Sequence, residues 1–551
     1  MIDIHLEGNI LSVPDDATIK ELIPLSARTE LVCGAYVNNI VKSLEFSVKN
    51  GDDVRMIDVR DEVGMRIYFS TLLLIFSKAT HNVFPEKEIS ISYSLGGGIY
   101  CEFKNREPMT VETIETIKQE MNSIISREIA VQKLKIPWRE AYLFMRHHKV
   151  SSATNPDLMV YVHAREITLY ELDEFYGYYY SKMLLNSKDI YLFDLVANAP
   201  GCVIMAPDRS DPSVIRAFEP QHNLHREFQK YEEWCARLDV SDVVSLNRKI
   251  ENGSITNLIT VAEARHEELI SSMAYEIARE KDTKRIVLIA GPSSSGKTTT
   301  SKRLRTHLIA RELNPIAISL DNYFLDRDHT PKDENGEYDF ESIDAIDIEL
   351  FNRNLIDLMD GKEVEAPIFD FVEGKRKSNG QKLKVTSGNP IIIEGIHGLN
   401  DRLTCHIPRE NKYKIYINDL THLNIDPNNR IPTSDVRLIR RIVRDSKQRG
   451  NDALRTISMW QSVKRGEERN IYPFSGEADF VFNSSLFYEM SVLKKYAEPA
   501  LQKVKQDSQY YAEARRMIDF LSFFLAIEDE SAIYSNSILR EFIGGNIFDT
   551  L

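Results

Sequence analysis

The sequence predicts an α/β fold for its C-terminal part, a parallel sheet covered by helices, preceded by a β-rich unit and an α+β unit. Three observations carry this expectation. Beyond residue 283 the apolar runs RIVLIA, PIAISL, PIIIEG, KIYIND and ADFVFN recur, each separated from the next by a helical segment. Continuous apolar runs suit strands buried on both faces, and their alternation with helices calls for parallel crossovers. The first stretch instead carries short strand-like runs, with IDIHLEG and ILSVP meeting around Gly8-Asn9 as a hairpin would. Finally, 551 residues, of which 42% are hydrophobic and 28% charged, supply material for three or four domains.

Taken in order, residues 1–62 read as a small β-rich module, with a helical ATIKELIPL and a late strand DDVRMIDV. Residues 63–215 read as α+β. A helix is expected near Ile67–Ala79, a strand at ISISYSL, a turn at Gly96-Gly97-Gly98 and a helix over Val111–Ile129. Strands near Tyr191–Val196 and Gly201–Met205 close this unit. Residues 216–282 form a charged helical linker, in which AEARHEELISSMAYEIAREKD is strongly amphipathic. Residues 283–486 hold the βα alternation. Residues 487–551 are a helical segment expected to pack back on the linker or on a second subunit.

Charge and cysteine usage narrow the classes. A net charge of −14 argues against a broad nucleic-acid surface. Cys33, Cys101, Cys202, Cys235 and Cys405 lie far apart with no CxxC pair, which suits reduced thiols in a cytoplasm rather than a zinc knuckle or disulfide framework. The start MIDIHLEGNI has no basic leader followed by an apolar stretch, so no signal peptide is expected. IYFSTLLLIF is too short to span a bilayer and is expected to be a buried helix.

The stretch GPSSSGKTTTSKRL fits GxxxxGK[ST] through Gly291, Gly296, Lys297 and Thr298. It follows the strand RIVLIA and opens a helix, the context a phosphate-binding loop requires. Its glycines let backbone N–H groups turn inward around phosphate oxygens, and the helix N-terminus adds positive potential. ATP is expected along Gly291, Ser293, Ser294, Ser295, Gly296, Lys297, Thr298 and Thr299, with Lys297 on the β and γ phosphates and Thr298 on Mg²⁺. Neither a guanine-reading NKxD nor an LSGGQ segment is present, which favours a small-molecule kinase.

An acceptor needs a base. In parallel sheets, ligands bind beyond the C-terminal ends of strands. ISLDNYF places Asp321 there, able to deprotonate a hydroxyl or to bind Mg²⁺ through water. IIIEGIHGL places Glu394 there, as a Mg²⁺ partner either directly or through water or as a structural carboxylate, with His397 as a loop residue nearby. In DVRLIRRIVRDSKQRG, Arg437, Arg440, Arg441 and Arg444 recur on one helical face, with Arg449 beyond. Such a stripe suits neutralisation of transferring phosphate charge. An ordinary solvated face with pairs such as Arg441–Asp445 is the competing reading.

The order GPSSSGKTT, DNYF, YDFESIDAID, PIFDF with KRK, IIIEG, RLIRRIVRDSKQRG and ADFVFN, over roughly residues 283–485, resembles the uridine kinase and phosphoribulokinase family of P-loop kinases. The resemblance implies transfer of the ATP γ-phosphate to a sugar 5′-hydroxyl, with Asp321 as general base and Thr298 and Glu394 as Mg²⁺ ligands. It also implies catalytic roles for Lys297, Arg437 and Arg440, and nucleotide contacts from the lid residues Arg441 and Arg444. The acceptor pocket it implies comprises Asp321, Tyr323, Glu341, Phe369, Phe371, Arg376 and Arg437. Three departures stand out. Phe369 and Gly374 occupy the positions of the family's pyrimidine-reading Tyr and His, the lid reads Arg449-Gly450-Asn451 in place of RGR, and DNYF swaps the aromatic order. A site without those hydrogen-bonding groups discriminates bases poorly.

Residues 1–62 look like a TGS domain, and residues 63–215 resemble the editing domain of threonyl-tRNA synthetases, on IYFSTLLLIFSKA, YSLGGGIYCEF and WREAYLFM. That family's HxxxH positions read Phe69 and Leu73 here, and its CxxxH pair has no match near ELDEFYGYYY. His147 and His148 are adjacent and suit a surface pair. No editing chemistry is therefore expected. The reading that follows is an ATP- and Mg²⁺-dependent nucleoside kinase. A same-fold kinase for another sugar or small alcohol, and a nucleotide-sensing or tRNA-linked regulator, stand as alternatives.

Overall fold

The computed structural model describes residues 1–147, 155–162, 166–332, 336, 338–370 and 373–550. Strands β1 (Ile2–Leu6) and β2 (Asn9–Val13) form the expected hairpin, turning through Glu7 and Gly8, both at positive φ. After the short helix α1 (Ile19–Leu22) come β3 (Val32–Val37), β4 (Ile40–Lys42) and β5 (Asp53–Asp58). They make one sheet in the order β2-β1-β5-β3-β4, with β1 and β5 parallel.

Helix α2 (Glu62–Val83) is longer than the sequence suggested, and IYFSTLLLIF lies at the heart of a core. It packs on α3 (Val111–Ser126) and on a sheet ordered β11-β12-β7-β6, built from β6 (Ile89–Leu95), β7 (Gly98–Phe103), β11 (Asp194–Asn198) and β12 (Gly201–Met205). A second sheet, β8 (Gln132–Pro137), β9 (Glu166–Leu172) and β10 (Phe175–Tyr178), went unforeseen. Its first strand, β8, has no fully buried residue, whereas β9 and β10 are mostly buried. Helices α4 (Trp138–His147) and α5 (Leu158–Tyr161) lie within this excursion. His147 ends α4 exposed, and His148 lies outside the described residues.

The linker folds as α6 (His222–Arg237), α7 (Val243–Glu251) and α8 (Ile255–Arg279). Beyond it β13 (Ile286–Ala290) leads into α9 (Lys297–Ile309), then β14 (Ile316–Ser319) and α10 (Ile348–Met359). Two small antiparallel pairs follow, β15 (Val364–Ala366) with β18 (Gln381–Leu383) and β16 (Phe369–Asp370) with β17 (Lys375–Arg376). Strands β19 (Ile391–Glu394), β20 (Lys412–Asn418) and β21 (Phe480–Asn483) complete a five-stranded sheet ordered β14-β19-β13-β20-β21, parallel throughout. These are the five runs read from the sequence. Every residue of β13 is buried, as a central strand covered on both faces requires.

Helices α11 (Thr433–Arg444), α12 (Ala453–Asn470), α13 (Glu489–Leu501), α14 (Tyr511–Leu521) and α15 (Arg540–Ile543) complete the chain. The C-terminal segment does pack on the linker: Tyr488 and Ser537 donate to the buried Glu263 of α8 at 2.6 and 2.5 Å. One continuous apolar core runs from Leu158 and Tyr178 through α8 to β13, α11 and Phe542. Among the described residues no helix is long and apolar enough to cross a membrane.

Candidate functional site

Register brings the chemistry together. Ile289 and Ser319 both pair with Glu394, so the chain leaves β13, β14 and β19 at one level. Just beyond that level stand the loop from Gly291, Asp321 and Glu394 itself, at the C-terminal edge where parallel sheets bind ligands.

The loop needs its glycines. A Cβ at Gly291 would lie 1.9 Å from the Ile417 carbonyl, and Gly296 adopts φ +85° as the residue that caps the start of α9. Lys297 Nζ donates back to the Gly291 and Pro292 carbonyls at 2.8 and 2.9 Å, which parks the ammonium inside the loop. The Thr298 hydroxyl donates to Glu394 Oε1 at 3.3 Å, while Glu394 Oε2 is buried without a partner. Two oxygen donors side by side, one unsatisfied, suit a hard cation such as Mg²⁺.

Asp321 is open to solvent yet walled by protein, as on a cleft floor, and this enclosure pushes its carboxyl upward against the pull of Lys297 and Arg449. Glu394 is pushed up to about 7 by burial and by Asp321. Glu341 is likewise lifted to about 7, by burial and then by Glu467, with Arg441 opposing. Lys297 is lowered by burial despite these acids. Carboxylates lifted toward neutrality around one lysine mark a site arranged for charge to arrive.

The arginine stripe does something other than expected. Arg437 is 1% exposed and forms a two-pronged ion pair with Glu467 of α12 at 2.5 and 2.8 Å. Its Nη1 also donates to the Ser293 carbonyl at 3.1 Å, and Glu467 accepts from the Ser293 N–H at 2.8 Å. Arg440 is equally buried. It grips Glu489 at 2.5 and 2.9 Å and donates to the Ser294 carbonyl at 3.3 Å. Arg441 donates to Ser293 Oγ at 2.9 Å, and Arg444 pairs with Asp445. The assignment of Arg440 to the catalytic lid is corrected: with its donors on Glu489, Ser484 and Ser294, it supports the loop from behind. Of this run Arg449 is the exposed member, 3.9 Å from Asp445.

The acceptor side also needs correction. Tyr323 is fully buried, its ring edge-on to Phe351 and its hydroxyl accepting from Asn354, so it is a core residue. Arg376 is consumed by the Phe324 and Tyr323 carbonyls and by Asp347. Phe369 is nearly buried beside Phe324, and Phe371 lies outside the described residues. Gly374 adopts φ +69°, and a Cβ there would lie 2.8 Å from the Arg327 guanidinium. Glu341 reaches the cleft because α12 has a glycine opposite, where a Cβ on Gly466 would overlap the Glu341 side chain at 2.4 Å. His397 is buried and held at about 4 by that burial, which keeps it neutral. Sequence reasoning missed Glu467 and Glu541. The first is joined to Arg437 across thirty positions, and the second belongs to the C-terminal segment.

Comparison with known proteins agrees with this geometry. The family model for the Phosphoribulokinase / Uridine kinase family matches residues 286–488. A uridine kinase of Ligilactobacillus salivarius is 32% identical over 197 residues, 36% of this chain and 83% of that protein. A uridine kinase of Staphylococcus aureus is 30% identical over 36% of this chain and 86% of its own length. A solved structure described as a possible uridine kinase from Bacillus stearothermophilus is 18% identical, covers 40% of this chain and 100% of that chain, and has a TM-score of 0.28. On the family model and the two curated uridine kinases, most of whose length this chain covers, the chain belongs to the phosphoribulokinase/uridine kinase family, phosphotransferases with an alcohol group as acceptor.

Proposed function

We propose that this protein is an ATP- and Mg²⁺-dependent nucleoside kinase of the uridine kinase type, transferring the γ-phosphate to a nucleoside 5′-hydroxyl. The observation that carries the reading is the convergence of Asp321, Lys297, Thr298 and Glu394 at one edge of the parallel sheet. In this reading the loop N–H groups hold the phosphates, and Lys297 leaves the loop carbonyls for the β and γ oxygens. Thr298 and Glu394 hold Mg²⁺, which when bound neutralises phosphate charge. Asp321 accepts the proton of the acceptor hydroxyl as that oxygen bonds to phosphorus and the bond to the ADP oxygen breaks. The enclosure that pushes its carboxyl upward makes it a stronger proton acceptor than a solvated aspartate. Arg437, through Ser293 and Glu467, positions the loop.

The front half is read as a TGS-like β-grasp domain over residues 1–62, supported by the order β2-β1-β5-β3-β4, and an editing-like α+β domain over 63–215. Phe69 and Leu73 pack in or against its core and offer no ligand chemistry there. The remaining divisions are a linker at 216–282, a kinase domain at 283–486 and a helical segment at 487–551. A cytoplasmic setting belongs to the same reading. A same-fold kinase for another sugar or alcohol is the second reading, favoured by Arg327 lying against Gly374 where a base-reading residue was expected.

The test is ATP turnover by the full chain across nucleosides and sugar alcohols. Stimulation by a nucleoside supports the first reading, and stimulation by another alcohol alone supports the second. No stimulation by any acceptor contradicts both.

A further inference from the structure

The last α-helix, α15, lies on the phosphate loop's helix. Glu541 of α15 accepts from the Thr299 hydroxyl at 2.8 Å and from the Thr299 N–H at 3.3 Å. Asn546 Nδ2 donates to the same hydroxyl at 3.3 Å. Ile538 closes the contact: a Cβ on Gly296 would lie 2.6 Å from its Cγ2. The Thr299 N–H is in the first turn of α9, where a phosphate loop offers its donors to the nucleotide's phosphates.

The loop has a second carboxylate, and the difference between the two is informative. Glu467, on the Ser293 N–H, is neutralised by Arg437. Among the described residues Glu541 has no cation within ion-pair distance, and Thr299 supplies the hydrogen bonds its carboxylate receives. An anion on the opening turn of that helix takes a hydrogen bond that the turn would otherwise offer a phosphate oxygen. The same segment also takes hold of the turn that follows α11. Gln448 donates to the Glu541 carbonyl at 2.8 Å and Lys447 to the Ile543 carbonyl at 2.7 Å. Beyond α15 the chain turns through Gly544 and Gly545, both at positive φ. None of this segment falls within the residues that match the family, 286–488.

We infer that the C-terminal segment is an autoinhibitory strap, with Glu541 occupying a nucleotide phosphate position on Thr299, so that ATP must displace it to bind. The inference rests on the reading of Gly291–Thr299 as the ATP site. Displacement would also free Lys447 and Gln448, which couples nucleotide binding to movement of the turn carrying Arg449.

The test compares full-length protein with Glu541→Gln, an isosteric change that keeps the apolar seat of α15. Affinity is measured for Mg-ATP and, as a phosphate-free control, for adenosine. The strap predicts ATP binding tighter by roughly tenfold in the variant, with adenosine unchanged. Unaltered or weaker ATP binding overturns it and leaves Glu541 as a simple helix cap. If Lys297→Ala abolishes ATP binding while Glu541→Gln changes nothing, the strap fails and the ATP site stands. If neither the parent nor the variant binds ATP, both fail. Hydrogen exchange on the unmodified chain gives an independent readout. Mg-ATP should accelerate exchange of the amides around residues 540–547, and unchanged or slower exchange there overturns the strap.

Discussion

Burial of Glu394 sets a pH dependence on the ligand-free fold. Its ordinary pKa is 4.5, and burial with Asp321 alongside lifts it to about 7 in the folded protein. The folded group therefore holds its proton more tightly than the unfolded one. Its stabilising contribution is complete below pH 4.5 and is lost as pH rises through 7. Glu394→Gln cannot ionise, so at pH 8 the ligand-free variant should melt higher, by on the order of 2 °C. The gain should vanish toward pH 5, and equal melting shifts at both pH values would contradict the assignment. The same variant should need more Mg²⁺ for turnover. Asp321→Asn tests the neighbouring carboxylate. With the proton acceptor gone, kcat should fall by about 10²–10⁴-fold with little change in ATP affinity, and unchanged kcat would remove Asp321 from the role of base.

At the scale of elements, α11 and α12 hold the loop between them. The Arg437–Glu467 pair is fully buried, so removing one partner strands a charge while removing both does not. Arg437→Ala or Glu467→Ala should each cost about 3–5 kcal/mol, and the double variant should cost less than the sum of the two. Additive losses in denaturant titrations would mean that the pair is not coupled. Gly296 joins the loop to α9 at φ +85° with Ile538 against it. Gly296→Ala should lose about 1 kcal/mol or more and weaken ATP binding, both read from melts with and without nucleotide.

At the scale of the molecule, the segment after β20 ties the front half to the kinase. Asn424 donates to the Ile91 carbonyl and Asn429 to the Tyr178 carbonyl, while Glu62 receives Lys464 and Gln461. Arg516 of α14 clasps Asp435 at the start of α11. With one apolar core continuous from residue 141 to 543, the front half, linker and kinase should unfold in a single calorimetric transition. A kinase lacking residues 1–215 should melt lower, because Leu158, Tyr178 and their neighbours would leave apolar surface bare. Two resolved transitions, or an unchanged melting temperature on deletion, would show the front half to be independent.

The sequence by itself determined the five parallel strands, the phosphate loop and the two strand-end acids Asp321 and Glu394. All of these are local: apolar runs, glycine positions and the residue following a strand are written in consecutive letters. The sheet β8-β9-β10 was not legible, because β8 has no fully buried residue to set an apolar period and β10 is only four residues long. Only the tertiary structure decided the fate of the arginines. Helical spacing puts Arg437, Arg440, Arg441 and Arg444 on one face but cannot say what that face meets. Burial against Glu467 and Glu489 turned expected phosphate ligands into supports for the loop. The contact of Glu541 with Thr299 spans more than two hundred residues, a distance over which no periodicity operates and only the path of the folded chain decides who meets whom.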